Sequence, residues 1–435
     1  PVRNTVLALQ GQVPGLTIKQ QSGQLYGKNP NMQLRGLTTI GQGSNGDMLV
    51  LIDGMEGDPY SINPQDIENI SVLKDAAASS IYGSRAPFGV ILITTKKGKA
   101  GKTSINYNNN FRFNVPINMP SQADSYSWAL FFNDGAHNDG NGDDISPARL
   151  QRIKDYIDGK ISYSTIPVGD QWGTAYTEGN DNIDYYDVFY KDMTTGQEHN
   201  LSINGGNDKG TFAASLGYYD EDGQVVGTGY QRFNGSLNGS YKLFPFLTIN
   251  AGTTYSWSTQ PTLSWTGTYE FFYRTRGMRP TWNPWNEDGS PNSADTNISD
   301  GNPAYFRDKL LYSDGTNKST YNIGFKLDIL PKKLVLNGNA SLYRYDYMVE
   351  KFNKAYQLEN KDTNTTREAS VEQERYTQQQ YNATLTYTDT FADKHNLEVM
   401  LGGEYFTYDQ FKLAAKTQNS PTDDIPTLNV GATRT

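Results

Sequence analysis

The acidic stretch NDGNGDD at residues 138–144 comes nearest, by residue type, to a metal site. Two predicted helices flank it, SQADSYSWALFF and ISPARLQRIKDYI, as they would in an EF-hand. An EF-hand loop that starts at Asp139 needs glycine at its sixth position and glutamate at its twelfth, where this sequence has Asp144 and Leu150. The EF-hand pattern therefore fails, which leaves a looser structural calcium site or, more simply, a solvated turn. The ligands of such a calcium site would be Asp139, Asn141 and Asp143.

Two pairs of adjacent carboxylates, Asp143-Asp144 and Glu221-Asp222, raise the question of glycoside hydrolysis. That reaction needs two carboxyl groups held across a cleft, and neighbouring acids in predicted loops do not provide this arrangement. The chain has no cysteine and three histidines, which excludes thiolate catalysis and a cysteine zinc site and leaves little for another metal. We therefore predict that the chain is not an enzyme.

A predicted loop at about residues 259–318 is rich in aromatic side chains. Aromatic faces stack on sugar rings and also bind peptide side chains. We expect these residues to contact a substrate or a partner protein, with packing inside the loop as the alternative. The candidates are Trp265, Tyr269, Phe272, Tyr273, Trp282 and Trp285.

The overall composition points to a β-rich membrane protein. Lysine and arginine number 38 against 47 acidic residues, and their scattered positions argue against a nucleic-acid partner. The chain has 30 tyrosines, 42 glycines and a mean hydropathy of −0.67. No apolar run approaches the ~18 residues of a membrane-spanning helix. This excludes helical spans only, because a transmembrane β-strand alternates lipid-facing and lumen-facing residues and keeps a low average hydropathy.

A period of two begins at about residue 103. In residues 231–243 the odd positions include Phe233, Leu237 and Tyr241, whereas the even positions are polar. Strands of roughly ten residues with one apolar face are typical of an outer-membrane barrel wall. The pattern recurs at 247–257, 320–329, 334–342, 381–387 and 397–405. We expect aromatic residues near the strand ends to form an interfacial belt, among them Tyr255, Trp257, Tyr343 and Tyr345.

The lengths of the connections between strands support the same fold. We predict nine strands, at about 103–114, 198–205, 211–219, 230–243, 246–258, 319–330, 333–348, 378–390 and 395–410. Short and longer connections alternate, as in a barrel with periplasmic turns and extracellular loops. A soluble β-sandwich is the alternative, but it gives no reason for this alternation. Because an open edge in lipid is very costly, we expect further strands beyond Thr435. The predicted extracellular loops are about 115–197, 259–318, 349–377 and 411–435.

Residues 1–101 differ from the rest and predict a compact α+β unit. Strands are expected at 48–52, 70–74 and 90–95, with Asp53-Gly54 as a turn after the first. Asn63-Pro64 has the residues of a helix start. Asp75 is expected to cap a short helix, AAASSIY, which Gly83 would end.

The string DIENISVLKDAAASSIYGSRAPFGVILITTKKGKAG at residues 66–101 resembles the plug-domain signature of the SusC/RagA family, which comprises TonB-dependent outer-membrane transporters of Bacteroidota. LQGQVPGLTI at 9–18, MQLRGL at 32–37 and MLVLIDGMEGDPYSINPQDI at 48–67 resemble the same domain in the same order. The likeness is dense over about the first hundred residues and looser afterwards. The signature positions, which form the expected plug core, are Asp53, Gly54, Asp75, Tyr82, Gly83, Arg85 and Gly89.

The resemblance implies a transmembrane antiparallel β-barrel that has 22 strands in the family, of which about nine are present here, with residues 1–101 as an α+β plug inside the lumen and residues 102–435 as the first part of the barrel. We expect Arg85, Lys96, Lys97, Lys99 and Lys102 to meet acidic groups on the barrel wall or to lie at the periplasmic face. The alternative for Arg85 is an ordinary surface charge. The family also carries an N-terminal extension and a TonB box, which this sequence lacks, so energy coupling is inferred.

The function implied by the resemblance is active import across the outer membrane, driven by the TonB–ExbB–ExbD complex. A SusD-like lipoprotein would act as a lid on the extracellular loops, in a dimer of transporter–lipoprotein pairs. We expect oligosaccharide as the cargo, with oligopeptide as the alternative. A plugged barrel that serves as an adhesin or receptor without transport is the alternative from another class. No cofactor is expected apart from the calcium discussed above.

Overall fold

The computed structural model contains two units, which we call the plug unit, after the domain that it resembles, and the wall. The plug unit comprises the described residues before Gly101, and the wall is the sheet that begins at Gly101. The structure describes residues 6–19, 31–34, 48–74, 82, 85–168, 171–172, 178–261, 275–285, 291, 302, 309–357, 363–391 and 394–434.

A four-stranded sheet with the order β4-β3-β6-β5 forms the centre of the plug unit, and a separate hairpin, β1-β2, packs beside it. The pair β3–β6 is parallel, and the other pairs are antiparallel. Short 3-10 turns occupy Leu7–Leu9, Pro59–Ser61 and Pro64–Asp66. The strands are β1 (Leu16–Lys19), β2 (Asn31–Leu34), β3 (Leu49–Ile52), β4 (Met55–Glu56), β5 (Ile67–Leu73) and β6 (Val90–Thr95).

The local sequence signals in the plug unit correspond to identifiable backbone features. Asp53 and Gly54 form the two-residue turn between β3 and β4, with φ values of 51° and 88°, as a type I′ hairpin turn requires. The side chain of Asn63 accepts a hydrogen bond from the Gln65 backbone N–H at 3.0 Å, but the helix that it caps is a single 3-10 turn. The predicted helix with its cap Asp75 and its stop Gly83 lies outside the described residues.

The wall is one antiparallel sheet of nine long strands plus a two-residue strand, within the part of the chain that the structure describes. Its strand order is β7-β10-β11-β12-β13-β14-β15-β18-β19-β20, so neighbours in sequence are neighbours in space. The sheet does not close on itself in this chain. The strands are β7 (Gly101–Asn114), β10 (Thr194–Gly206), β11 (Gly210–Asp222), β12 (Gly229–Phe244), β13 (Leu247–Thr259), β14 (Leu310–Leu330), β15 (Leu334–Asn353), β18 (Glu368–Phe391), β19 (His395–Gln418) and β20 (Thr433–Arg434).

The two faces of the wall differ in the way that the period of two predicts. On β12, Leu237 points away from the plug unit and is 53% exposed, whereas Asn234 points towards it and is 3% exposed. Apolar side chains that are exposed on the outer face of neighbouring strands form the surface that lipid covers in an outer-membrane barrel.

The predicted alternation of connections is present, but the loop bounds need correction. The connections at 207–209, 245–246, 331–333 and 392–394 are short and lie at one end of the sheet. At the other end β10 begins at Thr194 and β14 at Leu310, so the loops expected at 115–197 and 259–318 are shorter than predicted. The same holds for the loops expected at 349–377 and 411–435, because β15 continues to Asn353, β18 begins at Glu368 and β19 continues to Gln418. On β19 the alternation continues beyond the predicted end, with Phe411 and Leu413 exposed on either side of Lys412.

The connection between β7 and β10 folds into a small helical unit at the long-loop end. Asp124 caps α1, where its carboxylate accepts hydrogen bonds from two backbone N–H groups. Asn133 of α1 bonds the backbone of Ile145 in both directions, at 2.8 and 2.9 Å, and so holds the loop before α2. The helices are α1 (Ser125–Asn138), α2 (Pro147–Ile157) and α3 (Tyr185–Phe189), and the two-residue strands at this end are β8 (Pro167–Val168), β9 (Gln171–Trp172), β16 (Tyr356–Gln357) and β17 (Thr363–Asn364).

Among the helices that the structure describes, none has the length and the apolar character to cross a membrane.

Candidate functional site

The contact between the plug unit and the inner face of the wall contains a network of charged and polar side chains from both units. The Arg85 guanidinium forms ion pairs with Glu56 of the plug unit and with Glu404 on β19, and it stacks on the ring of Phe406 at 4.7 Å. The predicted ion pair between Arg85 and the wall is therefore present.

Gly89, another signature residue, has φ 98° and lies against Leu34 and the Leu73 carbonyl, where a Cβ would have no room.

Gln380 on β18 connects the same charged groups a second time. Its Oε1 accepts a hydrogen bond from the Glu56 backbone N–H at 2.8 Å, and its Nε2 donates to Glu404 Oε2 at 2.8 Å. We call Glu56, Arg85, Gln380 and Glu404 the Arg85 latch. Arg85 lies between two carboxylates that would otherwise repel each other. Because Glu404 belongs to the wall, the Arg85 latch is complete only while the plug unit is seated.

A second ion pair joins the plug unit to β14. Lys318 Nζ lies 2.6 Å from Asp58 Oδ2, and its charge lies 6.0 Å from the ring centroid of Tyr345. Tyr343, Tyr345 and Tyr376 are in contact around this pair on the inner face. The prediction that Tyr343 and Tyr345 form an interfacial belt is wrong, because their odd positions on β15 face the lumen together with Asn337.

Asp66 is the third connection, on the opposite side of the plug unit. Its Oδ2 accepts hydrogen bonds from Ser215 Oγ on β11 at 2.6 Å and from Ser236 Oγ on β12 at 3.4 Å. Burial raises the pKa of the Asp66 carboxyl, although both serines and the nearby charges of Lys96 and Arg232 act in the opposite direction. The ionised carboxylate therefore makes the seated state less stable than a neutral acceptor would.

We expect Asp66→Asn to keep the acceptor for Ser215 and to be at least as stable as the wild type at pH 7. The folded-state pKa of Asp66 is raised, so its contribution to stability is fully present below its ordinary pKa and is lost as pH rises through the raised value. The difference between variant and wild type should shrink on acidification, as measured by thermal unfolding across this pH range. Asp66→Ala, which removes the acceptor, serves as the comparison and should be less stable than Asp66→Asn by about 1 kcal/mol at every pH, because neither variant titrates at this position.

The lysines after β6 pair inside the plug unit. Lys97 lies 3.9 Å from Asp53 and Lys99 lies 3.6 Å from Glu68, and both lysine side chains are largely exposed. Lys97 and Lys99 were expected either to meet acidic groups on the wall or to lie at the periplasmic face. Their exposure and their partners inside the plug unit fit an exposed face and do not fit a pairing with the wall. Asp53 also accepts a hydrogen bond from the Thr95 backbone N–H at 3.0 Å, which joins the turn after β3 to the end of β6.

The sequence analysis did not predict a charged cluster that lies on the inner face of the wall near the long-loop end. Arg112 Nη2 lies 2.7 Å from Glu198 and its Nη1 donates to Tyr219 at 2.6 Å, while Tyr219 bonds Glu221. Glu221, which the sequence suggested to be a loop acid beside Asp222, is buried in β11. The signal was available, because charged residues at the polar positions of an alternating strand face the lumen.

The predicted aromatic contact residues are only partly described. Trp265, Tyr269, Phe272 and Tyr273 lie outside the described residues. Trp282 is 1% exposed and packs against Tyr185, whose hydroxyl donates to the Trp282 carbonyl, so Trp282 is a core residue and not a contact surface. Trp285 is partly buried against the same core.

Replacing Trp282 with alanine should destabilise the helical unit by about 3–5 kcal/mol, because a fully buried aromatic side chain leaves a cavity. We expect proteases added to intact cells to cleave residues 178–190 faster in this variant. Trp285→Ala, which removes a half-buried ring, should change the rate much less. Equal cleavage of the two variants would contradict the assigned core.

The candidate cation loop is built as a turn. Gly140 ends α1 with φ 79°, and Asp143 Oδ1 lies 2.8 Å from His137 Nε2. Among the described residues no group of three or more histidine, cysteine, aspartate or glutamate side chains could hold a metal ion. A calcium ion on Asp139, Asn141 and Asp143 stays a prediction.

An antiparallel wall, apolar outside and polar inside, with a separate unit built around a small sheet bonded to its inner face, defines a plugged outer-membrane β-barrel. A protein-family profile described as "TonB-dependent Receptor Plug Domain" matches residues 1–90. The plug-domain match and the relatives described next make the chain similar to TonB-dependent receptors of the SusC/RagA type.

The relatives place the chain more closely. The TonB-dependent receptor SusC of Bacteroides thetaiotaomicron is 32% identical over 247 residues, which cover 53% of this chain and 20% of SusC. TonB-dependent receptor P39 of Formosa agariphila is 30% identical over 258 residues, which cover 58% of this chain and 21% of P39. A structure of the RagAB peptide importer in a closed-closed state has the same fold, with a TM-score of 0.82 and 22% identity, and the match covers 100% of this chain and 49% of that one. The matches cover about a fifth of the full length of the two curated relatives and about half of the full length of the solved chain.

Proposed function

We propose that this chain is part of a TonB-dependent importer that takes up oligosaccharides across the outer membrane. The observation that carries the proposal is the way in which the plug unit is held. The Arg85 latch, the Asp58–Lys318 pair and the Asp66 contacts are polar side-chain bonds that exchange readily with water. A wall that must stay sealed and yet open under force needs connections of this kind.

The cargo assignment is supported by the lumen side of the wall. Tyr345, Tyr376 and Tyr408 lie on the inner faces of three neighbouring strands, with ring centroids 4.6 and 5.4 Å apart along the series. Tyrosine presents an aromatic face for a sugar ring and a hydroxyl for hydrogen bonds. The fold likeness to the RagAB peptide importer makes peptide the competing cargo.

We propose that a SusD-like lipoprotein lid covers the long-loop end and that two such pairs form the assembly. Phe131 on α1 is 73% exposed, and its ring meets that of Phe132 edge-to-face with the centroids 6.0 Å apart, so the two rings form an apolar patch at this end. Arg279 stacks on Trp128 and Phe132 of the same helix at 5.4 and 5.6 Å, so this face is held rigidly. A rigid apolar face suits a permanent partner.

The transport proposal is tested by uptake of a tritiated mixture of neutral oligosaccharides into cells that express the receptor. We expect uptake that falls to background when a protonophore removes the proton gradient across the inner membrane. Uptake that ignores the gradient would remove active transport, and the absence of uptake would favour an adhesin or receptor. Competition by unlabelled oligopeptides, with none by unlabelled oligosaccharides, would change the cargo to peptide.

A further inference from the structure

One buried carboxylate at the long-loop end has no part in the contact between the plug unit and the wall. Asp181 lies in the connection between β7 and β10 and is 1% exposed. Tyr156 of α2 and Ser164 donate their hydroxyls to the same carboxylate oxygen, Oδ1, each at 2.9 Å. The side chain of Asn283, which belongs to the connection between β13 and β14, also bonds this carboxylate. Asp181 therefore joins two connections that are far apart in the sequence.

Residues on both sides of this carboxylate join the same two connections. The backbone N–H of Ile183 donates to the Pro280 carbonyl at 2.9 Å. Arg149 of α2 donates to the Gly179 carbonyl at 3.0 Å and to Thr281 Oγ1 at 3.3 Å. These bonds, together with those of the carboxylate, form the contact that we call the loop junction.

The charged groups around the loop junction have other partners. Arg152 forms an ion pair with Glu178, and the other arginine of α2 bonds the backbone and the threonine hydroxyl described above. Burial raises the pKa of the Tyr156 hydroxyl to about 12 and that of the Tyr185 hydroxyl well above its ordinary value, so both tyrosines stay neutral. Within the described residues, Asp181 is thus bonded by hydroxyl and amide groups and has no ion pair.

A buried carboxylate without a cation is less stable when it is ionised than when it is neutral. Burial raises the pKa of Asp181, although its hydrogen bonds act in the opposite direction. Because both hydroxyls bond Oδ1, the other carboxylate oxygen can take up a proton without the loss of either bond. The amide of Asn283 presents its carbonyl oxygen in place of its NH₂ group after a half-turn, so it can accept a hydrogen bond from the protonated carboxyl.

We propose that Asp181 is a proton-sensitive link between the two connections, which holds them together more firmly in an acidic medium than at neutral pH. The effect extends to the surface of the receptor. Arg279, which precedes Pro280 of the loop junction, stacks on Trp128 and Phe132 of α1. A firmer loop junction therefore also fixes the exposed face of α1. The proposal concerns these two connections and does not depend on the cargo or on transport.

The test is hydrogen exchange of backbone amides in the purified receptor, measured by mass spectrometry from about pH 4 to about pH 8 and divided by the intrinsic exchange rate at each pH. Because the folded-state pKa of Asp181 is raised, its contribution to stability is fully present below its ordinary pKa and is lost as pH rises through the raised value. We expect corrected exchange in residues 178–190 and 275–285 to be at least about threefold slower at the acidic end.

Three variants separate this carboxylate from other sources of pH dependence. Asp181→Asn keeps an oxygen acceptor without the charge, so exchange in the same residues should stay slow and lose its dependence on pH. Asp192→Asn is the matched control, because this carboxylate lies in the same connection but is exposed, and the wild-type dependence should remain. Tyr156→Phe removes a hydroxyl that stabilises the ionised form, so the transition should move to higher pH.

The outcomes decide the proposal directly. Corrected exchange in the wild type that is equal at both ends of the pH range would overturn it, and so would a pH dependence that persists in Asp181→Asn. If Asp181→Asn does not fold, Tyr156→Phe still tests the proposal, and a transition at the wild-type pH would reject it.

Discussion

Replacing Arg85 with alanine should loosen the plug unit and raise the conductance of the receptor in a planar lipid bilayer. The change removes both ion pairs of the Arg85 latch and leaves Glu56 facing Glu404 without a cation. A charged hydrogen bond contributes about 1.5–3 kcal/mol when buried, but these side chains are 27% to 37% exposed, so screening lowers the loss to about 2 kcal/mol. That loss corresponds to about a thirtyfold rise in the displaced population.

A matched control is available on the outer face of the same wall. Arg344 also pairs with a carboxylate, that of Asp346 at 3.4 Å, but it does not touch the plug unit. Arg344→Ala should leave the conductance unchanged. Arg85→Lys should lie between the wild type and Arg85→Ala, because lysine keeps the charge but cannot span two carboxylates with a planar fork. A conductance of Arg85→Ala equal to that of Arg344→Ala would contradict the latch.

A disulfide between the plug unit and the wall should abolish uptake until it is reduced. Asn63 and Gly217 are the pair of choice, because a Cβ added at Gly217 would lie 2.7 Å from Asn63 Nδ2. Replacing Asn63 removes one of the two amides that would crowd the new side chain, and the other, that of Asn234 at 2.8 Å, must turn aside for the bridge to form. Asn63→Cys with Gly217→Cys ties the Pro64–Asp66 turn to β11 covalently.

The measurement is uptake of the tritiated oligosaccharides under oxidising conditions and again after a reductant is added. We expect near-complete loss followed by recovery, whereas each single cysteine variant should respond to neither treatment. Because residues 1–435 contain no other cysteine, the effect cannot come from a different bridge between these residues. Undiminished uptake by the oxidised double variant would show that the plug unit need not move away from β11 during transport.

The structure confirms the sequence predictions that depend on neighbours along the chain. The alternation of Phe233 and Leu237 with polar residues predicted which face of β12 points outwards. In the plug unit, Asp53-Gly54 predicted the turn between β3 and β4. These features could be predicted because side-chain direction in a strand and positive φ in a tight turn are local properties. The alternation along β15 also places Tyr343 on the polar face, with the other odd positions. The prediction of an interfacial belt was wrong because it used only the nearness of Tyr343 to an expected strand end.

The contacts that hold the plug unit had no such signal. Arg85 and Glu404 are 319 positions apart, and Asp58 and Lys318 are 260 apart. An ion pair depends on where two distant side chains come to lie, which the composition of neither segment reveals. The pairing of Glu221 with Arg112 is another such contact, although the alternating pattern alone was enough to place Glu221 on the inner face of β11.

By itself, the sequence determined that this protein has a wall of alternating strands and a compact unit before it, because local periodicity and turn residues decide those elements. Only the tertiary structure decided which polar residues bind the plug unit to the wall. That division has a physical reason: burial and charge pairing act through space, and the strands that supply Asp66, Arg85 and Asp58 with partners are far away along the chain.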